Sequence, residues 1–327
     1  MKQDRILLAH GSGGRKQQAL IRDIFAKKFS NPILNDFDDA AEIDGLAFTT
    51  DSYVVKPLFF PGGDIGKLAV CGTVNDLAMK GAKPLYLSAS AIIEEGFEID
   101  KLERIVESMA KACTSAGVII VTGDTKVVEK GGADGIFITT SGIGQILPKV
   151  NISSKNAKVG DAVIISGSVA EHGIAVMNER NSLGFSGDIK SDVAPLNKIV
   201  EKILGKYPQV VHVMRDPTRG GVASALNEIA EMSKVGILVD ENKIPIKPLI
   251  KEACDLLGLD PLHVANEGKF VAFVNPKYSK QTLKMMGKDA KIIGFVTKKF
   301  KGVRLKTSIG GERILSMLEG EQLPRIC

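Results

Sequence analysis

Apolar positions along the first half of the chain switch between two periods, and the switching predicts strands and helices in turn. Leu46 to Val55 reads as a strand, Asp64 to Lys80 as an almost wholly apolar helix, and Tyr86 to Ile93 as a strand. Asp100 to Ala116 reads as a helix, followed by strands at Val118 to Thr122 and Gly135 to Ile143. In the helix 100–116, Leu102, Ile105, Val106, Met109 and Ala110 fall at helical spacing, Asp100 is the expected N-cap, and Gly117 ends the run. The short run Ile6-Leu7-Leu8 reads as a further strand.

Around Lys149 to Gly160 the apolar pattern fades into polar residues, which marks a domain junction. A second alternating series follows. Ala162 to Ser166, Gly236 to Val239, Lys269 to Val274 and Lys291 to Val296 read as strands, Gly221 to Lys234 and Lys277 to Met286 as helices. After Ser308 there is one short helical patch, Ile314 to Leu318, and then a tail ending in Pro324-Arg325-Ile326-Cys327. The expected architecture is α/β (α+β) in two domains, 1–150 and 151–307, with 308–327 as a mobile tail.

A chain of 327 residues has room for two cores. Apolar residues at 44% and charged residues at 25% are the balance of a soluble globular protein. No apolar stretch is long enough to span a bilayer, and Met1 to Arg5 leads into Ile6 without a signal-peptide layout, so no membrane association and a cytoplasmic location are expected. The formal charge of +5 is spread over scattered lysines, which argues against nucleic acid as a partner. Cys71, Cys113 and Cys254 sit in apolar patterns and read as small core residues. Cys327 differs. It lies behind a proline, outside any apolar pattern, and is a candidate substrate-carrying thiol or an incidental terminal one.

Several carboxylates end or interrupt apolar segments: Asp38-Asp39, Asp51, Asp76 beside Asn75, and Asp124. A carboxylate in such surroundings is costly unless paired or bound to a cation, and a cluster of oxygen ligands suits magnesium shared with a nucleotide. Lys126, two residues beyond Asp124, is placed to neutralise a phosphate. Arg215-Asp216-Pro217-Thr218-Arg219-Gly220-Gly221 reads as an anion or nucleotide loop ahead of a helix. His10-Gly11-Ser12-Gly13-Gly14 reads either as a phosphate-covering loop through Gly11, Gly13 and Gly14 or as a plain turn. Glu267 is a candidate general base or an exposed loop residue. The four histidines show no zinc spacing.

The segments Gly62 to Lys67 and Val74 to Pro84, with Thr122 to Val128 and Arg215 to Gly221, resemble the aminoimidazole-ribonucleotide-synthetase superfamily of ATP-binding proteins. The N-terminal His-Gly-Ser-Gly-Gly and the terminal Pro-Arg-Ile-Cys narrow the resemblance to the HypE family, the carbamoyl dehydratases of NiFe-hydrogenase maturation. The resemblance spans essentially the whole chain. It implies an N-terminal ATP-binding domain whose sheet pairs across a homodimer, a C-terminal mixed α/β domain, and ATP with Mg2+ as cofactors. The resemblance implies Asp51, Asp76 and Asp124 as metal ligands; with the residues read above, the expected metal set is Asp38, Asp51, Asp76 and Asp124, and Gly11, Gly13, Gly14, Asn75, Lys126, Arg215 and Asp216 are also expected on the nucleotide.

By the same resemblance, Cys327 receives a carbamoyl group from a carbamoyltransferase, HypF. ATP-dependent dehydration makes a thiocyanate, and cyanide passes to a HypC–HypD complex for the hydrogenase iron. The catalytic set is then Cys327, Lys126 and Glu267. Two other readings compete: a superfamily relative that activates a free small molecule with ATP, and a scaffold whose tail is a docking peptide. A selenide-using relative is disfavoured because residues 1–30 contain no cysteine.

Overall fold

The computed structural model describes residues 5–185, 187–320, 323 and 325–327. Two sheets organise them. The first has five strands in the spatial order Ala41–Ile43, Leu46–Tyr53, Ile136–Ile146, Ala82–Glu94 and Ile119–Val128. All neighbours are antiparallel except the last pair, between which the helix Ile99–Ala116 carries the chain back to the same end. The period of two gives this sheet one buried and one open face: Ala47, Thr49 and Tyr53 point inward, while Leu46 and Phe48 point outward.

The helix Ile65–Met79 lies on the buried face and is enclosed almost all round, which is why its sequence shows no polar stripe. Asp64 caps it, accepting from the N–H groups of Gly66 (2.7 Å) and Lys67 (3.0 Å). Gly72 lets the helix approach the sheet. A Cβ there would lie 2.2 Å from the Tyr53 hydroxyl.

The second sheet has seven strands, in the order Glu312–Ile314, Gly302–Lys306, Gly236–Asp240, Lys291–Thr297, Ala162–Ile165, Val271–Val274 and Val211–Arg215. Only Gly302–Lys306 and Gly236–Asp240 pair in parallel. Helix Gly221–Ser233 covers one face through Val222, Leu226 and Ile229. Helices Asn197–Lys206 and Ser279–Met286 cover the other through Val200, Ile203 and Met286. Strands buried on both faces read as continuous apolar runs, as Ala162–Ile165 and Val271–Val274 do.

Asn75 ties the halves together. Its Nδ2 donates to the carbonyls of Ala194 (3.1 Å) and Glu267 (3.3 Å), and its Oδ1 accepts from the Leu196 N–H (2.8 Å). It is therefore a buried brace between the central helix and the second half, with its polar atoms spent on backbone.

Three local expectations fail. Ile6 to Leu8 is not a strand: Leu8–Gly11 forms a single 3-10 turn, since its exposed residues have no sheet edge to join. The patch Ile314 to Leu318 is not helical, because Glu312–Ile314 pairs with Gly302–Lys306 and Leu315 then donates to the Val303 carbonyl. Helix Ile99–Ala116 starts one residue earlier than expected, with Glu98 at the N-cap and Asp100 inside the first turn, while Gly117 ends it in the left-handed conformation.

Asn75→Ala leaves the Leu196 N–H and two carbonyls without their partner in a dry interface. It is expected to lower unfolding stability by about 2–4 kcal/mol, read as a shift in the urea midpoint at unchanged slope.

Candidate active site

Three acidic residues from separate parts of the chain converge between the two halves. Asp76 comes from the last turn of the central helix, Asp39 from the segment before strand Ala41–Ile43, and Asp216 from the end of strand Val211–Arg215. Their carboxylate oxygens lie within 4.8 Å of one another. Thr49 Oγ1 donates to Asp76 Oδ2 at 2.8 Å. Arg215 holds Asp39 through Nε at 3.0 Å and Glu228 through Nη2 at 2.7 Å, and its Nη1 donates to the Phe37 carbonyl. The Arg215 guanidinium is thus committed to orienting Asp39.

Burial raises the proton affinity of all three carboxyls. Asp76 is pushed well above the carboxylate range by desolvation and then by the charges of Asp216, Asp39 and Asp51. Asp39 is raised by desolvation despite Arg215, and Asp216 is raised to about 6, again chiefly by desolvation. Such a cluster is strained as three bare anions. Its donors are all oxygen and its charge is in excess, the set that a hard divalent cation satisfies.

The cluster opens into a cavity of about 220 Å3 whose walls also include Asp51, Glu267, Arg219 and Cys327. Asp51 is half-buried, and its Oδ1 accepts from the Ser52 N–H at 2.8 Å. Glu267 is 3% exposed, and its Oε1 has no hydrogen-bond partner. Desolvation first, then Asp216, Asp192 and Asp51, push its carboxyl well above the usual range.

The last residues of the tail are docked in this cavity. Cys327 is 5% exposed, and its Sγ accepts from Arg219 Nε at 2.9 Å. Burial pushes its thiol up to about 12, against the pull of Arg219. The tail pairs with the segment after strand Leu46–Tyr53: Val54 N–H donates to the Cys327 carbonyl (3.2 Å) and Lys56 N–H to the Arg325 carbonyl (3.3 Å). Arg325 returns a bond to the Val54 carbonyl (2.9 Å) and an ion pair to Asp134. Ile326 and Cys327 thereby join the core of the first half. Pro324 lies outside the described residues.

The glycine-rich loop closes over the site. Gly13 has φ +76°, and its carbonyl accepts from Ser224 Oγ at 3.0 Å. A Cβ on Gly13 would lie 2.5 Å from the Arg219 Cβ, and one on Gly14 would lie 2.4 Å from the Leu318 carbonyl oxygen. Gly11 accepts weakly from Arg219 Nη1 at 3.4 Å. The loop is thus packed on the arginine that holds the sulfur.

Other expected site residues lie elsewhere. Asp38 points away from the cluster: its Oδ2 pairs with Lys80 (2.9 Å) and its Oδ1 accepts from the Ser154 N–H (2.8 Å), so its neighbour Asp39 takes the place in the cluster. Asp124 and Lys126 pair with each other at 2.7 Å on the outermost strand. Asp124 is in register with Ser90, Thr139 and Ser52, on the open face, whereas Asp51 is in register with Thr140 and Ala89, on the buried face. The sheet itself separates Asp124 and Lys126 from the cavity of their own chain.

Two family models match. One for the AIR synthase related protein N-terminal domain covers residues 37–146, and one for the corresponding C-terminal domain covers 158–306. Carbamoyl dehydratase HypE of Rhizobium leguminosarum bv. viciae is 53% identical over 333 residues, spanning 99% of this chain and 95% of the relative. The chain belongs to the HypE family of AIR synthase related proteins. Among solved structures, a HypE–HypF complex matches with a TM-score of 0.89 at 54% identity, covering 92% of this chain and 100% of the other. A hydrogenase maturation protein HypE in complex with ATP matches with a TM-score of 0.84 at 48% identity, covering 99% and 100%. The two-domain α/β fold expected from the sequence is that of the HypE family.

Because the folded carboxyl of Asp216 titrates near 6 and an ordinary one near 3.8, the folded protein binds the extra proton between those values, and stability falls as pH rises through that window. Removing the charge should relieve this cost. In chelator, Asp216→Asn is expected to be more stable than the parent at pH 8 by on the order of 2 kcal/mol, with the gap closing towards pH 4 in urea titrations.

Proposed function

We propose that this chain carries a carbamoyl group on Cys327, docks it between the two halves, and dehydrates it with ATP. Carbamoyl dehydration with ATP in hydrogenase maturation is the activity of the HypE family to which the chain belongs. The observation that carries the residue-level reading is that the Cys327 sulfur and the carboxylates Asp39, Asp76 and Asp216 line one cavity.

An amide oxygen is a poor leaving group. In the proposed reaction it attacks the γ-phosphorus of ATP, the bond to the β-phosphate oxygen breaks, and ADP leaves. The activated carbon then loses its oxygen as phosphate while both nitrogen protons depart, leaving S–C≡N on Cys327. Mg2+ held by Asp39, Asp76 and Asp216, with Asp51 at the rim, would neutralise charge on the transferred phosphoryl group. The oxygen-only donor set and the mutual repulsion of these carboxylates fit that ion. Glu267, buried in the same cavity with a free oxygen and a raised proton affinity, is placed to take a nitrogen proton. Arg219 fixes the sulfur.

We assign Asp124 and Lys126 to the site of a second copy. Leu46, Phe48, Tyr86, Ile92, Ile119 and Ile143 are exposed on the open face that carries them, an apolar surface of the kind that marks an interface. Pairing of two such faces in a homodimer is the arrangement that would present Asp124 and Lys126 to a partner's nucleotide. The carbamoyl donor is a HypF carbamoyltransferase, with which a HypE forms a solved complex. A HypC–HypD complex as cyanide acceptor, and a cytoplasmic setting, complete the proposal. No helix among the described residues is long and apolar enough to cross a membrane. A free small-molecule substrate is disfavoured because Cys327 of the chain's own tail lines the cavity beside the carboxylates.

Intact-mass measurement tests the reading. After loading by the carbamoyltransferase, Cys327 should lose the mass of one water only when ATP and Mg2+ are present, and loss without ATP would sink it. Cys327→Ser should not be loaded, and Glu267→Gln should load normally but dehydrate about 100-fold more slowly. Phe48→Asp is expected to turn a dimer into a monomer in sedimentation velocity and to depress ATP turnover with it.

A further inference from the structure

His172, fully buried in the first turn of helix Glu171–Asn181, plays no part in the chemistry above, yet its ring bonds the tail. Its Nε2 lies 2.8 Å from the Ile326 carbonyl oxygen, and its Nδ1 lies 2.8 Å from Ser191 Oγ. The direction of this chain of bonds can be worked out. Ser191 Oγ accepts from the Val193 N–H at 3.1 Å, so its own proton is available to Nδ1. That assigns the tautomer with hydrogen on Nε2, which donates to Ile326. Burial lowers the ring's proton affinity and keeps it neutral. Phe60 meets the ring edge-on, with centroids 5.4 Å apart and planes at 86°, and fixes its plane.

We propose that His172 is the latch that holds the tail in the reactive position, and that its hydrogen bond to residue 326 sets the balance between loading Cys327 and dehydrating what it carries. The proposal rests on the carrier role given to Cys327 above. A thiol 5% exposed and raised to about 12 cannot meet a second enzyme, so the tail has to leave to be loaded. When it leaves, the Val54 and Lys56 N–H groups lose bonds of 3.2 and 3.3 Å, and the His172 N–H loses the shorter one, 2.8 Å, to Ile326. The donor also acts on the peptide link next to the reacting residue, so a small change there moves the sulfur directly. His172 is a positioning residue: it touches no reacting atom.

Alkylation of the unloaded protein by iodoacetamide, read at each cysteine by peptide mass spectrometry, tests the latch without any dehydratase assay. In His172→Phe, which keeps a ring and removes the donor, Cys327 should react roughly three- to tenfold faster while Cys71, Cys113 and Cys254 stay protected. His172→Gln, which returns an amide N–H, should restore the slow rate. With loaded protein, His172→Phe should dehydrate more slowly by a similar factor, load at least as fast as the parent, and bind ATP unchanged. A Cys327 rate unchanged in His172→Phe overturns the latch. If all four cysteines speed up together, the fold has opened, and Ser191→Ala then carries the test: faster Cys327 alkylation alone supports the latch, and no change refutes it. A faster Cys327 in a protein whose parent never loses water would leave the latch standing and refute the dehydratase assignment instead.

Discussion

Mutual repulsion of Asp39, Asp76 and Asp216 is the constraint around which the rest of the molecule is arranged. Three carboxylates within 4.8 Å in a buried site are stable only if their orientation is imposed and their charge is answered. Orientation comes from Thr49 on Asp76 and from Arg215 on Asp39, an arginine itself gripped by Glu228 and the Phe37 carbonyl. In the proposed reading the answering charge comes from a cation and a nucleotide. This explains why the two halves have to be braced, at Asn75 among other places: Asp76 belongs to the first half and Asp216 to the second. A site that stores repulsion across a domain interface needs that interface to be rigid.

The tail follows the opposite logic. Its docking rests on hydrogen bonds with Val54, Lys56, His172, Arg180 and Arg219 and an ion pair with Asp134, together with the burial of Ile326 and Cys327. The docked thiol is shielded and pushed up to about 12 by burial, which suppresses its nucleophilicity.

Much of this was legible in the sequence. Period and length place the central helix, Ile99–Ala116 and four strands of each sheet, while Ala41–Ile43, Val211–Arg215, Gly302–Lys306 and Glu312–Ile314 were not among the expected strands. Helices Glu171–Asn181, Asn197–Lys206 and Pro248–Leu257 escaped notice: the first begins with a buried Glu171 and His172, so its pattern is not that of a surface helix. The failures at Ile6 to Leu8 and Ile314 to Leu318 share a cause. Three to five apolar residues cannot distinguish strand, helix and turn until a neighbour supplies or withholds hydrogen bonds.

For the site, the chain's composition and spacing identified acidic residues stranded among apolar ones, an arginine-rich loop, and a thiol at the very end. These are local properties, and local sequence carries them. Which acid meets which was decided by tertiary structure. A single step along the chain separates Asp38, spent on Lys80, from Asp39, which joins the cluster; a strand's alternation puts Asp51 inside and Asp124 outside. His172 gave no sequence signal, because its contact with the tail is to a carbonyl more than 150 residues away. The sequence by itself determined what kinds of groups are available; their convergence on Cys327 required the fold, since direction and distance between remote side chains are set only when both sheets have packed.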